Sequence, residues 1–204
     1  ENDQHLESTR DSILWILSSS GGKMEMSRLK DTRSLKARSD CQNSEKAIYL
    51  LPPENPLYLR NDLRPGDIGY ITYLHGILYA PQQGWDYTFD SYVAIPLAEF
   101  ARRRNPKERI WIVESSGRIE GSIAIIEFSQ KEAQLRWLLL HPDLRGRGLG
   151  RRLVEEAVAF AREAGYFSIF LWTVDSLPAA ADLYRSMGFR EREKVTGNPQ
   201  PARG

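Results

Sequence analysis

The chain has 204 residues, 41% hydrophobic and 27% charged, which suits one globular domain with a sizeable core. Its 28 Lys and Arg residues nearly balance its 27 Asp and Glu residues, so no overall field attracts nucleic acid or an anionic membrane. The single cysteine, Cys41, excludes an intrachain disulfide framework and a cysteine zinc site. No apolar run approaches the roughly 20 residues of a membrane span, so a cytoplasmic location is expected.

The N-terminal segment, residues 1–56, differs in pattern from the rest of the chain. Asp11–Leu17 is predicted to be a short helix, and apolar residues within Lys23–Asp40 lie loosely at helical spacing. The segment ends in Pro52-Pro53 and Pro56, which indicates a linker. We therefore expect residues 57–194 to fold and to bind their ligand without this segment, whose own role is not determined.

The main domain is predicted to begin with strands and helices that alternate along the chain. The first half contains a strand, two helices that each start at an aspartate, and three antiparallel strands, at Leu57–Arg60, Asp67–Ala80, Asp86–Arg103, Ile110–Glu114, Arg118–Ser129 and Ala133–His141. The second half contains helices and strands in turn, at Gly148–Ala164, Phe167–Thr173, Pro178–Met187 and Phe189–Lys194. This order predicts a mixed α/β sheet, followed by a disordered tail, residues 195–204.

A glycine-rich loop leads from the strand Ala133–His141 directly into the helix Gly148–Ala164. The first N–H groups of a helix lack partners in the helix and carry about half a positive charge. Glycines let this backbone approach phosphate oxygens closely, and arginines add charge and donors. The residues predicted to bind a pyrophosphate are Arg145, Gly146, Arg147, Gly148, Leu149, Gly150 and Arg151.

Several phosphate ligands are compatible with such a loop. The Walker pattern GxxxxGK[ST] is absent, which argues against a P-loop NTPase. A dinucleotide site needs GxGxxG after an early strand and an acidic residue about 20 positions later, where Phe170 stands. A nicotinamide oxidoreductase therefore stays the least favoured alternative.

The loop resembles the acetyl-CoA motif of the GNAT superfamily, [RQ]-x-x-G-x-[GA], here Arg145-x-x-Gly148-x-Gly150. Ala180-x-x-Leu183-Tyr184-x-x-x-Gly188-Phe189 resembles the second motif of that superfamily, and the resemblance covers residues 57–194. The stretches around His75-Gly76 and Gly84-Trp85 are similar to the catalytic half of bacterial proteins that fuse a MarR-type winged helix to a GNAT domain. Residues 1–56 are too short for a full winged helix, so they are a remnant of one, a linker or unrelated to it.

The resemblance implies a fold in which an antiparallel meander precedes βαβαβ crossings and the two central strands splay apart. It implies acetyl-CoA as co-substrate, with the pantetheine arm along Leu138, Leu139 and Leu140 and the pyrophosphate on the glycine loop. An N–H near Leu140 would polarise the thioester carbonyl. Tyr184 would protonate the departing thiolate as general acid.

Two departures from the superfamily pattern leave questions open. Leu177 stands where an asparagine is frequent, and Ala133–His141 lacks the frequent acidic base, for which Glu127 and His141 are the substitutes. Deprotonation through water is the third choice. Tyr79 and Trp85 are expected to line the acceptor side, and no metal site is expected.

The predicted function is an N-acetyltransferase that acts on an amine of a small molecule, an amino acid or a peptide. The alternative, a non-catalytic acyl-CoA sensor linked to a transcriptional regulator, remains because the usual acidic base is missing. The acceptor amine is the expected partner, neither nucleic acid nor a membrane is expected, and a homodimer is left open.

Overall fold

The computed structural model describes residues 21–29, 46–48 and 56–195. Its strands are β1 (Gly21–Ser27), β2 (Lys46–Ile48), β3 (Leu57–Arg60), β4 (Arg109–Ser115), β5 (Arg118–Glu127), β6 (Glu132–Leu140), β7 (Ser168–Val174) and β8 (Arg190–Val195). Its α-helices are α1 (Asp67–Gln83), α2 (Thr88–Arg103), α3 (Leu149–Glu163) and α4 (Pro178–Ser186), and a 3₁₀ turn spans Pro142–Leu144. From residue 57 onward, the predicted elements are confirmed with small shifts at their ends.

The strands form one sheet in the order β2-β3-β4-β5-β6-β7-β1-β8. Neighbouring strands are antiparallel except β6 and β7, which run parallel because the chain crosses over through α3 between them. Helices α1 and α2 cover one face and α3 covers the other, and each face has its own hydrophobic core. The predicted mixed α/β sheet is confirmed.

Strand β1 requires a correction to the predicted organisation. The helical interpretation of Lys23–Asp40 is wrong where it overlaps β1, which pairs antiparallel with both β7 and β8. Met24 is 1% exposed, and a Cβ at Gly21 would lie 2.3 Å from the carbonyl oxygen of Thr173, so the strands meet closely there. A main domain that excludes residues 1–56 is therefore incompatible with this sheet.

We propose instead that the domain includes β1, because without it β7 would lose one of its two neighbouring strands and β8 would lose its partner. The predicted helix Asp11–Leu17 and residues 196–204 of the predicted tail lie outside the described residues.

The two aspartates predicted to cap helices have other roles. Gly66 is the N-cap of α1, and Asp67 lies buried in the first turn, where its carboxylate pairs with the guanidinium of Arg60 at 2.8 Å. Asp86 precedes the N-cap of α2, and its Oδ1 accepts a hydrogen bond from the Thr88 N–H at 2.9 Å. The Arg60–Asp67 pair thus ties α1 to β3.

Candidate functional site

Strands β6 and β7 pair over three residues only. The paired residues run from Glu132 opposite Ser168 to Gln134 opposite Phe170, and beyond them the strands separate. The predicted splay of the central strands is confirmed. A cleft results whose walls carry backbone groups that the sheet leaves without partners.

A β-bulge in β6 lies beside this cleft. Between Ser122 and Ala124 of β5, the register shifts by one residue, and Trp137 of β6 has a φ of 52°. Left-handed backbone is strained for a non-glycine residue, so its surroundings must hold it in place. The fully buried hydroxyl of Ser122 donates a 2.7 Å hydrogen bond to the Trp137 carbonyl and stabilises the bulge.

A cavity of about 640 Å³ occupies the cleft and extends beneath α1 and α2. Its walls come from β6, β7, α1, α2, α4, and the glycine loop with the first turn of α3. Among the described residues, no aspartate or glutamate lines it, whereas Arg136, Arg145 and Arg151 do. The cavity is therefore electrically positive as well as largely apolar.

The glycine loop has the geometry of an anion site. Gly146 and Gly148 have φ values of 75° and 77°, and no atom lies within 4 Å of a Cβ built on either of them. Gly148 is the N-cap of α3 and no side chain caps this helix end, so its first N–H groups face the open cavity. An anionic group such as a pyrophosphate fits this arrangement.

Two of the predicted loop residues do not face the cavity with their side chains. Leu149 is 1% exposed and packs in the core beneath α3, so only its backbone N–H can contact a ligand. Arg147 is exposed and does not line the cavity. The other predicted loop residues that line it are Arg145, Gly146, Gly148, Gly150 and Arg151.

The main chain of β6 alternates between its two neighbours. The N–H of His141 donates to the Glu120 carbonyl of β5 at 2.7 Å, so Leu140 and Leu138 direct their backbone groups toward the cleft. Both of these carbonyls already accept hydrogen bonds, Leu138 from the Tyr79 hydroxyl at 3.1 Å and Leu140 from Arg145 Nε at 2.9 Å. The N–H groups of Leu138 and Leu140 are the donors left for a ligand.

Leu139 differs from the two residues beside it. Its backbone faces β5, opposite Ser122, and its side chain is 1% exposed in the core under α1 and α2. The predicted contact of Leu139 with a ligand therefore does not fit this geometry.

Tyr184 lies on α4 and lines the cavity. It is 6% exposed, its ring packs against Phe189, and among the described residues its hydroxyl has no hydrogen-bond partner. Burial, and secondarily the nearby Tyr79, raise the pKa of the Tyr184 phenol above its usual value. The phenol therefore stays protonated at neutral pH, and the same shift makes it a weaker acid than a free tyrosine.

The predicted acceptor-side residues divide in two groups. Tyr79 and Trp85 line the cavity, as predicted. Glu127 does not: it lies opposite Ala133, at the end of β6 that still pairs with β7, and it accepts a hydrogen bond from Asn105 Nδ2 at 2.5 Å. His141 does not line the cavity either, since it faces Glu120 and Asp143 at the start of the 3₁₀ turn. Neither predicted substitute for the acidic base therefore lines the cavity.

His75 and Arg136 both line the cavity, although neither is among the site residues predicted from the sequence. The signal for Arg136 was a charge within the otherwise apolar part of β6 from Leu135 to Leu140. His75 Nδ1 lies 2.8 Å from the Ile71 carbonyl, so Nδ1 carries the proton and Nε2 of the neutral ring has the lone pair. Burial first, and then the charge of Arg136, lower the pKa of His75 to about 4.

This pKa predicts how stability depends on pH. Because the unfolded histidine binds its proton near pH 6.5 and the folded one only near 4, the unfolded state binds more protons between these values. His75 thus destabilises the fold as the pH falls from 6.5 to 4, by up to about 3 kcal/mol. Urea unfolding of the wild type and of His75→Gln should show this loss only in the wild type. If the free energy of unfolding depended on pH in the same way in both proteins, the burial of a neutral histidine would be contradicted.

Two further properties concern the described residues as a set. No group of three or more His, Cys, Asp or Glu side chains within 21–29, 46–48 and 56–195 is arranged to hold a metal ion. No helix there combines the length and the hydrophobicity that crossing a bilayer requires.

Comparisons with known proteins agree with this geometry. The model of the acetyltransferase (GNAT) family matches residues 74–189. An uncharacterised N-acetyltransferase of Schizosaccharomyces pombe is 33% identical over 126 residues, which are 60% of this chain and 77% of the relative. Seven further curated N-acetyltransferase relatives are 28–36% identical, and the chain spans only 38–52% of their lengths.

Solved structures are similar in fold. An acetyltransferase from Streptococcus agalactiae superposes with a TM-score of 0.56 at 22% identity, over 66% of this chain and 83% of that one. A predicted acetyltransferase from Clostridium acetobutylicum, solved with acetyl-CoA, gives a TM-score of 0.54 at 17% identity, over 67% and 91%. None of these proteins is described as a MarR fusion, so that part of the resemblance has no support.

Proposed function

The chain belongs to the acetyltransferase (GNAT) family, and from this we propose that it transfers an acetyl group from acetyl-CoA to an amine. The observation that carries the proposal is the glycine loop before α3, with its uncapped helix N-terminus facing the cavity between the splayed strands. A pyrophosphate on these N–H groups, with Arg145 and Arg151 beside it, places the rest of an extended cofactor along β6.

The chain's own groups fit an acyl-CoA in this orientation. The cleft-facing N–H groups of Leu138 and Leu140 can pair with the amides of a pantetheine arm as a neighbouring strand would, or polarise a thioester carbonyl. The Tyr79 hydroxyl holds the Leu138 carbonyl, which keeps this edge of β6 in one conformation. Tyr79 is thus proposed to position the backbone and to line the acceptor side together with Trp85.

Acetyl transfer makes a bond between nitrogen and the acetyl carbon and breaks the carbon–sulfur bond, and the leaving thiolate takes up one proton. Tyr184 is the proposed source of this proton, because its buried phenol stays protonated and its hydroxyl has no competing partner among the described residues. The amine must lose a proton. No carboxylate of the described chain lines the cavity, so we assign that step to water, with the neutral His75 Nε2 as a hydrogen-bond acceptor nearby.

Two observations favour a second candidate function, an acyl-CoA sensor without turnover. No acidic base lines the cavity among the described residues, and Leu177 occupies the position where the superfamily often has asparagine. A sensor would bind acetyl-CoA in the same place and would have no need for an acceptor. The homodimer, the cytoplasmic location and the link to a regulator stay predictions.

Two measurements separate these functions. Calorimetry should detect acetyl-CoA binding, and a thiol-release assay should detect turnover with at least one member of a panel of amino acids, peptides, polyamines and aromatic amines. Binding without release for any of them would favour the sensor. Absence of binding would overturn both functions.

A further inference from the structure

Within the part of the chain that the structure describes, the charged side chains that line the cavity are all arginines. Arg145 and Arg151 flank the glycine loop, where a pyrophosphate accounts for them. Arg136 lies on β6, and no phosphate group proposed above accounts for it. Since no acidic side chain of the described residues lines the cavity, Arg136 is the charge to be explained.

The register of β6 on β5 places Arg136 on the α1 and α2 side of the sheet. It lies opposite Ala124, whose side chain is in the core under α1 and α2, so Arg136 faces these helices. Its charge acts on His75 of α1, and Arg103 and Glu99 of α2 act on Arg136 in turn. The guanidinium is thus on the face of the sheet that α1 and α2 cover.

Arg136 is half-buried, and no carboxylate of the described residues is in direct contact with it. Among the described residues it forms neither an ion pair nor a hydrogen bond, and its nearest recorded partner is the Trp137 ring, whose centroid is 5.2 Å from Cζ. Burial lowers the pKa of Arg136 to about 10, Arg103 lowers it too, and Glu99 opposes them. The group is still a cation at pH 7, and its desolvation is not offset by a paired carboxylate.

The walls of the cavity also contain two polar atoms that are unpaired within the described part of the chain. The indole N–H groups of Trp137 and Trp172 are buried and have no hydrogen-bond partner among the described residues. Both tryptophans line the cavity, one from β6 and the other from β7 across the cleft. These nitrogens are enclosed by the walls, so they make the walls polar without contacting a ligand, and buried donors without acceptors are costly.

We propose that the acceptor amine carries a carboxylate, as an α-amino acid does, and that Arg136 binds this carboxylate. The planar guanidinium matches a carboxylate with two parallel hydrogen bonds, which a single point charge cannot do. A polyamine would instead bring additional positive charge next to Arg136. The aromatic walls, including Tyr79, Trp85 and Phe89, favour an apolar side chain on the amino acid. This inference rests on the proposed acetyl transfer for its biological meaning.

The experiment measures binding of the acceptor rather than turnover. Its failure can therefore be distinguished from a failure of the proposed acetyl transfer. Leucine, methionine and phenylalanine, and the three matching carboxamides, are titrated by calorimetry into the complex of the protein with CoA. We expect the best acid to bind about tenfold to a hundredfold more tightly than its amide, as a charge-assisted contact implies. Arg136→Gln should remove this preference, and Arg136→Lys should keep a part of it.

The control is Arg102→Gln, which removes an exposed arginine of α2 that does not line the cavity and should leave the preference unchanged. Comparing acid and amide in both proteins cancels the difference in the pKa of the two amines. An acid preference that survives in Arg136→Gln, or no preference in the wild type, overturns the inference. Preferred binding of the acid without its acetylation supports the carboxylate site and contradicts the proposed enzyme instead.

Discussion

Gly150→Glu is expected to abolish detectable binding of acetyl-CoA. Gly150 is the second residue of α3 and lines the cavity beside the glycine loop. A glutamate there places a negative charge and a long side chain where the pyrophosphate would lie, so repulsion replaces the attraction of the helix end. We expect the dissociation constant in calorimetry to rise by at least about a hundredfold, since adjacent unit charges in a partly buried site repel by several kcal/mol.

The fold should survive this change, because an acidic residue in the first turn of a helix is favourable. Gly150→Ala is the matched control. A Cβ at this position would lie 3.4 Å from Leu183 Cδ2 and 3.6 Å from Leu140 Cδ1, which are ordinary contacts, so alanine fits and should retain binding. If the folded Gly150→Glu protein bound acetyl-CoA with normal affinity, the glycine loop would not be part of the cofactor site.

Tyr184→Phe is expected to lower turnover by about a hundredfold. A positioned general acid contributes typically about 10²–10⁴-fold, and the thiolate is itself a fair leaving group, so the low end applies. The change removes one oxygen from a side chain that is 6% exposed and retains its contact with Phe189. Affinity for acetyl-CoA, measured by calorimetry, should therefore change little while kcat falls.

Tyr79→Phe provides the comparison, since it removes a hydroxyl from the same cavity. That hydroxyl donates to the Leu138 carbonyl, so its loss affects the position of β6 and should cost at most about tenfold. Turnover of Tyr184→Phe equal to that of the parent with a genuine acceptor would make Tyr184 a packing residue only. If turnover fell further in Tyr79→Phe than in Tyr184→Phe, Tyr79 rather than Tyr184 would be the general acid.

The sequence by itself determined the features that depend on neighbouring residues. The turn at Ser116 and Gly117 has φ values of 49° and 74°, and the predicted antiparallel pairing of β4 with β5 follows from it. Helix α3 was predictable from its apolar stripe, and the glycine loop from alternate glycines at a helix start. These predictions succeed because backbone preferences and hydrophobic periodicity depend only on residues that are close together in the sequence.

Only the tertiary structure decided which distant residues meet. β1 forms between β7 and β8 because two strands offer it backbone partners, and the short alternation of polar and apolar residues from Lys23 to Ser27 does not say which strands these are. Arg136 and His75 line one cavity although 61 positions separate them, and Glu127 is excluded from it by the register of β5 on β6. A bulge at Trp137 and the separation of β6 from β7 create this cavity, and both depend on contacts between strands rather than on the order of residues along one of them.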